Sequence, residues 1–212
     1  MFHPPRFHAP AVFGVRPGSD FFLALPVEGE RLSLDCTNPP PGTGFDAAAG
    51  VLSGRIGRPG IYPVEFEAEN PAGRSRCTIR LIAGEGIQLT PPMGWNSWYC
   101  FSEGVSDAGI RKTARALVER GLAAHGWNFV NIDDCWQGVR GGKYGALQGN
   151  ERFPDMKALA DYIHSLGLRF GLYSTPWIGT YAGFRGGSTD RGREEQLFLP
   201  EPERLQPNQV FG

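Results

Sequence analysis

Thr90-Pro91-Pro92-Met93-Gly94-Trp95-Asn96-Ser97-Trp98 is answered further along the chain by Asn131-Ile132-Asp133-Asp134-Cys135-Trp136. Each stretch is a short apolar run that stops abruptly in aromatic, amide and carboxylate groups. A third copy of the pattern follows, Leu168-Arg169-Phe170-Gly171-Leu172-Tyr173-Ser174. Strands that each end in groups able to bind a polar ligand are what an α/β barrel uses to build a site at one rim. The pattern points to an enzyme scaffold.

Between these stretches the apolar period becomes helical. Ser106 stands as an N-cap before Ile110, Ala114, Leu117 and Val118, which recur along one helical face, and Gly121 is the stop. Pro154-Asp155 opens a second helix with the stripe Met156, Leu159, Ala160, Ile163 and Leu166, ended by Gly167. With strands expected at 93–98, 129–132 and 169–173, the order is β-α-β-α-β. That order requires parallel pairing through crossovers. A doubly wound sheet built for nucleotides would carry a Gly-rich turn after the first strand. Tyr99-Cys100-Phe101-Ser102-Glu103-Gly104 is not such a turn, so the barrel is preferred. Three such strands alone would leave Ile132, Phe170 and Leu172 in water.

Before about residue 87 the character of the chain is different. Short alternating segments dominate, among them Phe21-Phe22-Leu23-Ala24-Leu25, Tyr62-Pro63-Val64-Glu65-Phe66-Glu67-Ala68 and Cys77-Thr78-Ile79-Arg80-Leu81-Ile82. Turn chemistry such as Pro39-Pro40-Pro41-Gly42 and Asn70-Pro71-Ala72-Gly73 separates them. Val64, Phe66 and Ala68 fall on one face, and Glu65, Glu67 and Glu69 on the other. Period two with turn-punctuated spacing predicts a small β-sandwich.

Composition narrows the classes. The 212 residues carry 21 basic and 22 acidic side chains, a formal net charge of -1, which gives no electrostatic case for nucleic acid or an anionic membrane. With 30 Gly and 18 Pro, roughly twice the usual share, the chain is rich in turns. No apolar run approaches the ~18 residues of a membrane-spanning helix. Met1-Phe2-His3-Pro4-Pro5-Arg6 lacks the basic and apolar regions of a signal peptide, which leaves the localisation unknown. Cys36, Cys77, Cys100 and Cys135 lack metal-ligand spacing and permit three pairings if oxidised. The oligomeric state is not written in any of these features.

Asp133 and Asp134 follow an apolar strand directly. Adjacent strand residues point to opposite faces, so the pair does not act as opposed acid and nucleophile. The two carboxylates read instead as acceptors for ligand hydroxyls, with Trp95 a flat apolar wall. The competing readings are structural: loop carboxylates capping backbone N–H groups, and tryptophans packing a barrel floor. His125 reads as a helix-end or loop residue and His164 as a solvent-facing one.

Taken together, residues 88–187 resemble the catalytic domain of glycoside hydrolase family 27, the α-galactosidase and α-N-acetylgalactosaminidase family. The three strand motifs carry the resemblance. Arg152-Phe153-Pro154, Leu159-Ala160-Asp161-Tyr162-Ile163-His164-Ser165-Leu166-Gly167-Leu168 and Ala182-Gly183-Phe184 extend it. The resemblance implies that Trp95, Asp133, Asp134 and Tyr173 bind a terminal galactose, and that Cys100 and Cys135 form a disulfide. It implies a retaining mechanism through a covalent glycosyl-enzyme, with no metal or organic cofactor. Two positions depart from the family. Ser174-Thr175 follows Tyr173 where the family commonly has Ala-Asp, and Tyr181 stands where a family Cys contacts the sugar. The family's nucleophile and acid/base, both Asp on later strands, find no counterpart here and are expected beyond residue 212.

The segment before it resembles the immunoglobulin-like domains found beside bacterial carbohydrate-active enzymes. Ala49-Gly50-Val51-Leu52-Ser53-Gly54 and Gly60-Ile61-Tyr62-Pro63-Val64 carry that likeness. The expected organisation is multidomain. An immunoglobulin-like β-sandwich spans 12–86, the first three βα units of a TIM (β/α)8 barrel span 87–187, and a loop or out-of-register tail spans 188–212. The expected function is that of an α-galactosidase-like retaining exo-glycosidase, present as an incomplete chain inactive by itself. Its partner would be a galactoside-containing oligosaccharide or glycan. The alternative is a non-catalytic carbohydrate-binding or adhesion protein.

Overall fold

A computed structural model describes residues 3–86 and 89–188. The expected tail lies outside the described residues, except for Ser188. The chain divides into two compact units. One gathers Met1–Gly94 with Ala116–Phe129 and Leu166–Leu168; the other holds Trp95–Arg115, Val130–Ser165 and the chain from Arg169.

Among the described residues up to Ala83, the first unit holds nine strands: β1 (Arg6–Phe7), β2 (Val12–Val15), β3 (Asp20–Ala24), β4 (Val27–Glu28), β5 (Ser33–Cys36), β6 (Thr43–Asp46), β7 (Val51–Arg55), β8 (Gly60–Asn70) and β9 (Gly73–Ala83). One sheet runs β2-β9-β8-β5 and a second runs β3-β7-β6. Every pair in them is antiparallel except β2 with β9. Alternation along β8 explains the layering. Val64, Phe66 and Ala68 are at most 1% exposed, while Glu65 and Glu69 face water. On the solvent face Glu67 meets Arg76 at 2.7 Å and Glu69 meets Arg74 at 3.1 Å, each pair directly opposite in the register. On the other face Leu52, Val64, Phe66, Ile79 and Leu81 form one core, and Phe45 of one sheet packs against Phe66 of the other at 5.6 Å. β1, which precedes residue 12, pairs antiparallel with β4. The buried Asn70 closes the β8–β9 hairpin: its amide donates to His3 O and its oxygen accepts the Ala72 N–H.

The rest of the chain supplies β10 (Gly94–Asn96), α1 (Trp98–Phe101), α2 (Asp107–Glu119), β11 (Phe129–Ile132), β12 (Gln137–Gly141), β13 (Ala146–Gly149), α3 (Met156–Ser165) and β14 (Arg169–Leu172). The sheet order is β10-β11-β14. Met93 O accepts the amides of Asn128 and Phe129, and Ser97 N–H reaches Asn131 O, so β10 and β11 advance in the same direction. Tyr173 N–H reaches Ile132 O one step beyond the contact of Gly171 with Asn131, which sets β14 parallel as well.

The helices follow their caps and stripes. Ser106 Oγ accepts the Gly109 N–H at the start of α2, and Asp155 Oδ1 accepts the Ala158 N–H at the start of α3. Gly121 and Gly167 end them in the left-handed region, at φ 77° in both cases. Ile110, Ala114, Leu117, Leu159 and Ile163 are buried as expected. Val118 is not: it is 39% exposed, lying one position round the helix from the buried face.

Two further expectations are corrected, and one element is new. The first strand stops at Asn96, because Asn96 Oδ1 accepts the Trp98 N–H and Ser97 O accepts the amides of Cys100 and Phe101, turning the chain into α1. Ile132 is fully buried and Phe170 half-buried; of the three apolar residues expected in water only Leu172, 46% exposed, is there. The hairpin β12–β13, antiparallel with an irregularity between Gln137 and Arg140, was not foreseen. Among the described residues no helix is long and apolar enough to cross a membrane.

Candidate functional site

The ends of β10, β11 and β14 are fastened to one another by backbone and side-chain hydrogen bonds. Ser97 is fully buried; its Oγ accepts the Asp133 N–H at 2.9 Å and its own N–H reaches Asn131 O at 3.1 Å. Tyr173 N–H donates to Ile132 O at 2.8 Å. Tyr173 O in turn accepts Trp136 Nε1–H at 2.9 Å and the Gln137 amide at 3.3 Å. The close approach of β14 to β11 needs Gly171, where a Cβ would lie 2.1 Å from Asn131 Oδ1.

The paired carboxylates follow the end of β11 and differ in burial. Asp133 is half-buried, and its Oδ1 accepts the N–H of Asp134. Asp134 is 2% exposed. Its Oδ1 accepts the Cys135 N–H at 2.8 Å and its Oδ2 the Ala182 N–H at 2.9 Å. A carboxylate offers about four acceptor positions, so each oxygen keeps one beyond its amide. Asp134 therefore fixes the 180–184 turn and retains capacity for a ligand hydroxyl.

Tyr173 lies within electrostatic reach of both carboxylates. Burial, then Asp134 and more weakly Asp133, push its phenol up to about 12, against a hydrogen bond with the Tyr181 backbone. The phenol thus keeps its proton and offers a donor in the same neighbourhood as two carboxylate acceptors. Trp95 stands on the neighbouring strand, half-buried, with its ring edge-on to Phe101 at 5.8 Å.

Cys135 turns the chain away from the strand in a left-handed conformation, φ 78°. Its carbonyl accepts the Asn150 amide at 2.9 Å and Arg152 Nη2 at 2.8 Å, and Arg152 also donates to Glu103 O. The disulfide implied for Cys100 and Cys135 is absent. Both are free thiols, Cys100 exposed on α1 and Cys135 fully buried beneath the Asp133–Asp134 turn. Burial, with Asp134 and Glu103 nearby, pushes the Cys135 thiol up to about 12 despite Arg152.

Three features of the site were not foreseen. The Arg140 guanidinium clamps the carbonyls of Gly186, Gly187 and Ser188. Thr175, buried, donates to Gly179 O at 2.7 Å and so shapes its loop. Gln137 is buried, with Oε1 lacking a partner among the described residues. A polar residue directly after Asp133-Asp134-Cys135-Trp136 was the signal for it. A cleft of about 780 Å³ lined by Gln137, Asn150, Ile178, Phe184 and Arg185 lies on this side; Asp133, Asp134 and Tyr173 do not line it. His164 is exposed on α3 and His125 lies in the first unit, so neither joins the strand ends.

The family model for alpha galactosidase A (Melibiase_2) matches residues 90–198, just over half of the chain. The chain belongs to the alpha-galactosidase A family. This melibiase family is one of glycoside hydrolases, and the curated relatives bear its name. An alpha-galactosidase of Coffea arabica is 44% identical over 126 residues, which are 58% of this chain and 33% of that protein. Alpha-galactosidase A of Cellvibrio japonicus is 48% identical over 114 residues, 53% of this chain and 27% of the relative. A crystal structure from Bacteroides fragilis, of a protein assigned as an alpha-galactosidase, superposes with a TM-score of 0.80 at 34% identity. It covers 86% of this melibiase-family chain and 40% of the other. The chain spans about a third of the length of the curated relatives it matches.

Proposed function

We propose that this chain carries the sugar-cradling side of an α-galactosidase-type retaining exo-glycosidase acting on terminal α-linked galactose. One observation carries the reading: Tyr173 follows β14, and Asp133 and Asp134 follow the adjacent strand β11, with Tyr173 N–H bound to Ile132 O, so the phenol lies within electrostatic reach of both carboxylates. A terminal sugar presents vicinal hydroxyls that both donate and accept, and this cluster offers both roles. Trp95 would supply the apolar wall for the C–H face of the ring. Family membership raises galactosides above other glycosides as the substrate class.

The mechanism of such an enzyme needs two carboxyl groups about 5–5.5 Å apart across the scissile bond, one nucleophile and one acid/base. Asp133 and Asp134 do not meet that need. They are consecutive, and both oxygens of Asp134 already hold backbone amides. The cradle would orient the sugar, while the reacting carboxylates come from strands later than β14. The 212 residues alone are therefore proposed to bind without hydrolysing. In the same reading the first unit is an immunoglobulin-like sandwich, proposed for residues 12–86. β10 to β14 belong to the opening βα units of a (β/α)8 barrel, proposed for 87–187.

Calorimetry with galactose tests the cradle. The expected result is millimolar binding that Asp133→Ala abolishes; no heat at high sugar concentration would reject it. Release of nitrophenol from an α-galactoside by the purified 212-residue chain would reject the assignment of the reacting carboxylates. Binding without catalysis in every longer form of the protein would favour the carbohydrate-binding alternative, which the same Asp133–Tyr173 grouping supports.

A further inference from the structure

The first unit holds a cluster unrelated to the strand ends. His8, Glu28 and His125 each present one ligand atom, all within 4.8 Å of one another. Glu28 Oε2 lies 3.2 Å from His8 Nε2 and 3.5 Å from His125 Nε2. The two imidazole rings are 4.6 Å apart at 30°. We propose that His8, Glu28 and His125 bind one divalent ion of the zinc class, joining the N-terminal strand, β4 and the turn at 123–125.

The separations fit the ion. Ligands about 2.0–2.1 Å from a tetrahedral centre stand about 3.3 Å from each other. The two nitrogen–oxygen distances bracket that value, and the ligating nitrogens of the two imidazoles lie within 4.8 Å of each other, a gap that ion uptake would narrow. The donor set of two imidazoles and a carboxylate suits zinc and its neighbours rather than magnesium or calcium, which take oxygen ligands. Such a three-ligand set leaves a fourth position. Glu28 and His125 line a cleft of about 1120 Å³, which gives that position room for water.

The fold prepares each ligand. In the β1–β4 ladder Arg6 is opposite Glu28 and Phe7 opposite Val27, and His8 N–H continues it to Pro26 O at 2.9 Å. Residues two apart share a face, so His8 is the diagonal neighbour of Glu28 on one side of the ladder. His125 closes a short 3-10 turn that Gly126 ends in a left-handed conformation, φ 92°. Its Nδ1 is 2.9 Å from Gly121 O. A carbonyl only accepts, so Nδ1 carries the proton and Nε2 keeps its lone pair toward Glu28 in the neutral ring. A backbone carbonyl orienting the far nitrogen is the usual support of a metal-bound imidazole.

The rival account of the same geometry is direct hydrogen bonding or ion pairing of the two imidazoles with the Glu28 carboxylate, which needs no metal. The two differ in whether an added ion is taken up. The test titrates Co²⁺ and Zn²⁺ into the purified chain, reading visible d–d absorption, calorimetric heat and melting temperature. One equivalent giving tetrahedral cobalt bands and a raised melting temperature is expected. His8→Gln, Glu28→Gln and His125→Gln should each weaken zinc by at least about 10-fold, the smaller effect of losing even an outer partner, and His164→Gln should not. The three ligands are surface-accessible, so the variants should fold, which circular dichroism checks. Absence of the bands, or binding that survives all three substitutions, overturns the proposal. The proposal is independent of the glycosidase reading.

Discussion

Asp134 Oδ2 holds the backbone N–H of Ala182 at 2.9 Å, across 48 positions of sequence, while Oδ1 of the same carboxylate holds Cys135. One buried side chain thus sets both the turn after β11 and the loop beyond β14. Asp134→Ala would leave two amides without acceptors in a buried site, a loss of about 3 kcal/mol. Asp134→Asn would keep one acceptor and lose less. Urea unfolding of the two variants beside the parent checks the order. Equal stability of all three would show that the loop does not depend on Asp134.

Asp133 should behave in the opposite way. It is half-buried and, among the described residues, accepts only the amide of its own neighbour, so Asp133→Ala should change stability by less than about 1 kcal/mol. Galactose binding, in the proposed function, should disappear. Measuring the melting temperature and the calorimetric heat on the same sample separates the two effects. A variant that melts with the parent and still binds sugar would remove Asp133 from the cradle.

This contrast also marks how far the sequence could be read. The face of Val64, Phe66 and Ala68 was legible because period two needs no tertiary information. Asp133 and Asp134 were legible as site candidates because two carboxylates end an apolar run. Their different occupations were not, because the Ala182 amide reaches Asp134 only once β14 and its loop are in place. The hairpin β12–β13 was missed although Gly141-Gly142 and Gly145 punctuate it. The free state of Cys100 and Cys135 went against a pairing carried over from the family rather than read from this chain. His125 was correctly read as a helix-end or loop residue. His8 and Glu28, far away in sequence, are what give it a possible role.

Gly171 is where β11 and β14 approach closely, and a methyl group there would meet Asn131 Oδ1 at 2.1 Å. Overpacking of this kind costs about 1–3 kcal/mol, so Gly171→Ala should lower the denaturation midpoint by a matching amount. The obstructing atom is a side chain, so Asn131→Ala should recover part of the loss when the two are combined. A double-mutant cycle measures the coupling. Simple additivity would mean that the strands do not approach there.

Alkaline stability gives the last prediction. Cys135 and Tyr173 are raised to about 12 in the folded chain, from ordinary values of 9.0 and 10.0. A group raised in the folded state binds its proton more tightly there, so its contribution is complete below the ordinary value. It is lost as pH climbs toward the folded one. Stability should therefore fall between pH 9 and 12, with the thiol acting first and the phenol following. Cys135→Ala should flatten the earlier part of that fall, and a Tyr173→Phe variant the later part. The same burial makes Cys135 unreactive, whereas the exposed Cys100 should react rapidly with a thiol reagent at neutral pH. Mass spectrometry after brief labelling under non-reducing conditions should find Cys100 modified and Cys135 untouched. A pair of linked peptides containing both cysteines would instead restore the disulfide. The thiol would then have no part in the alkaline transition.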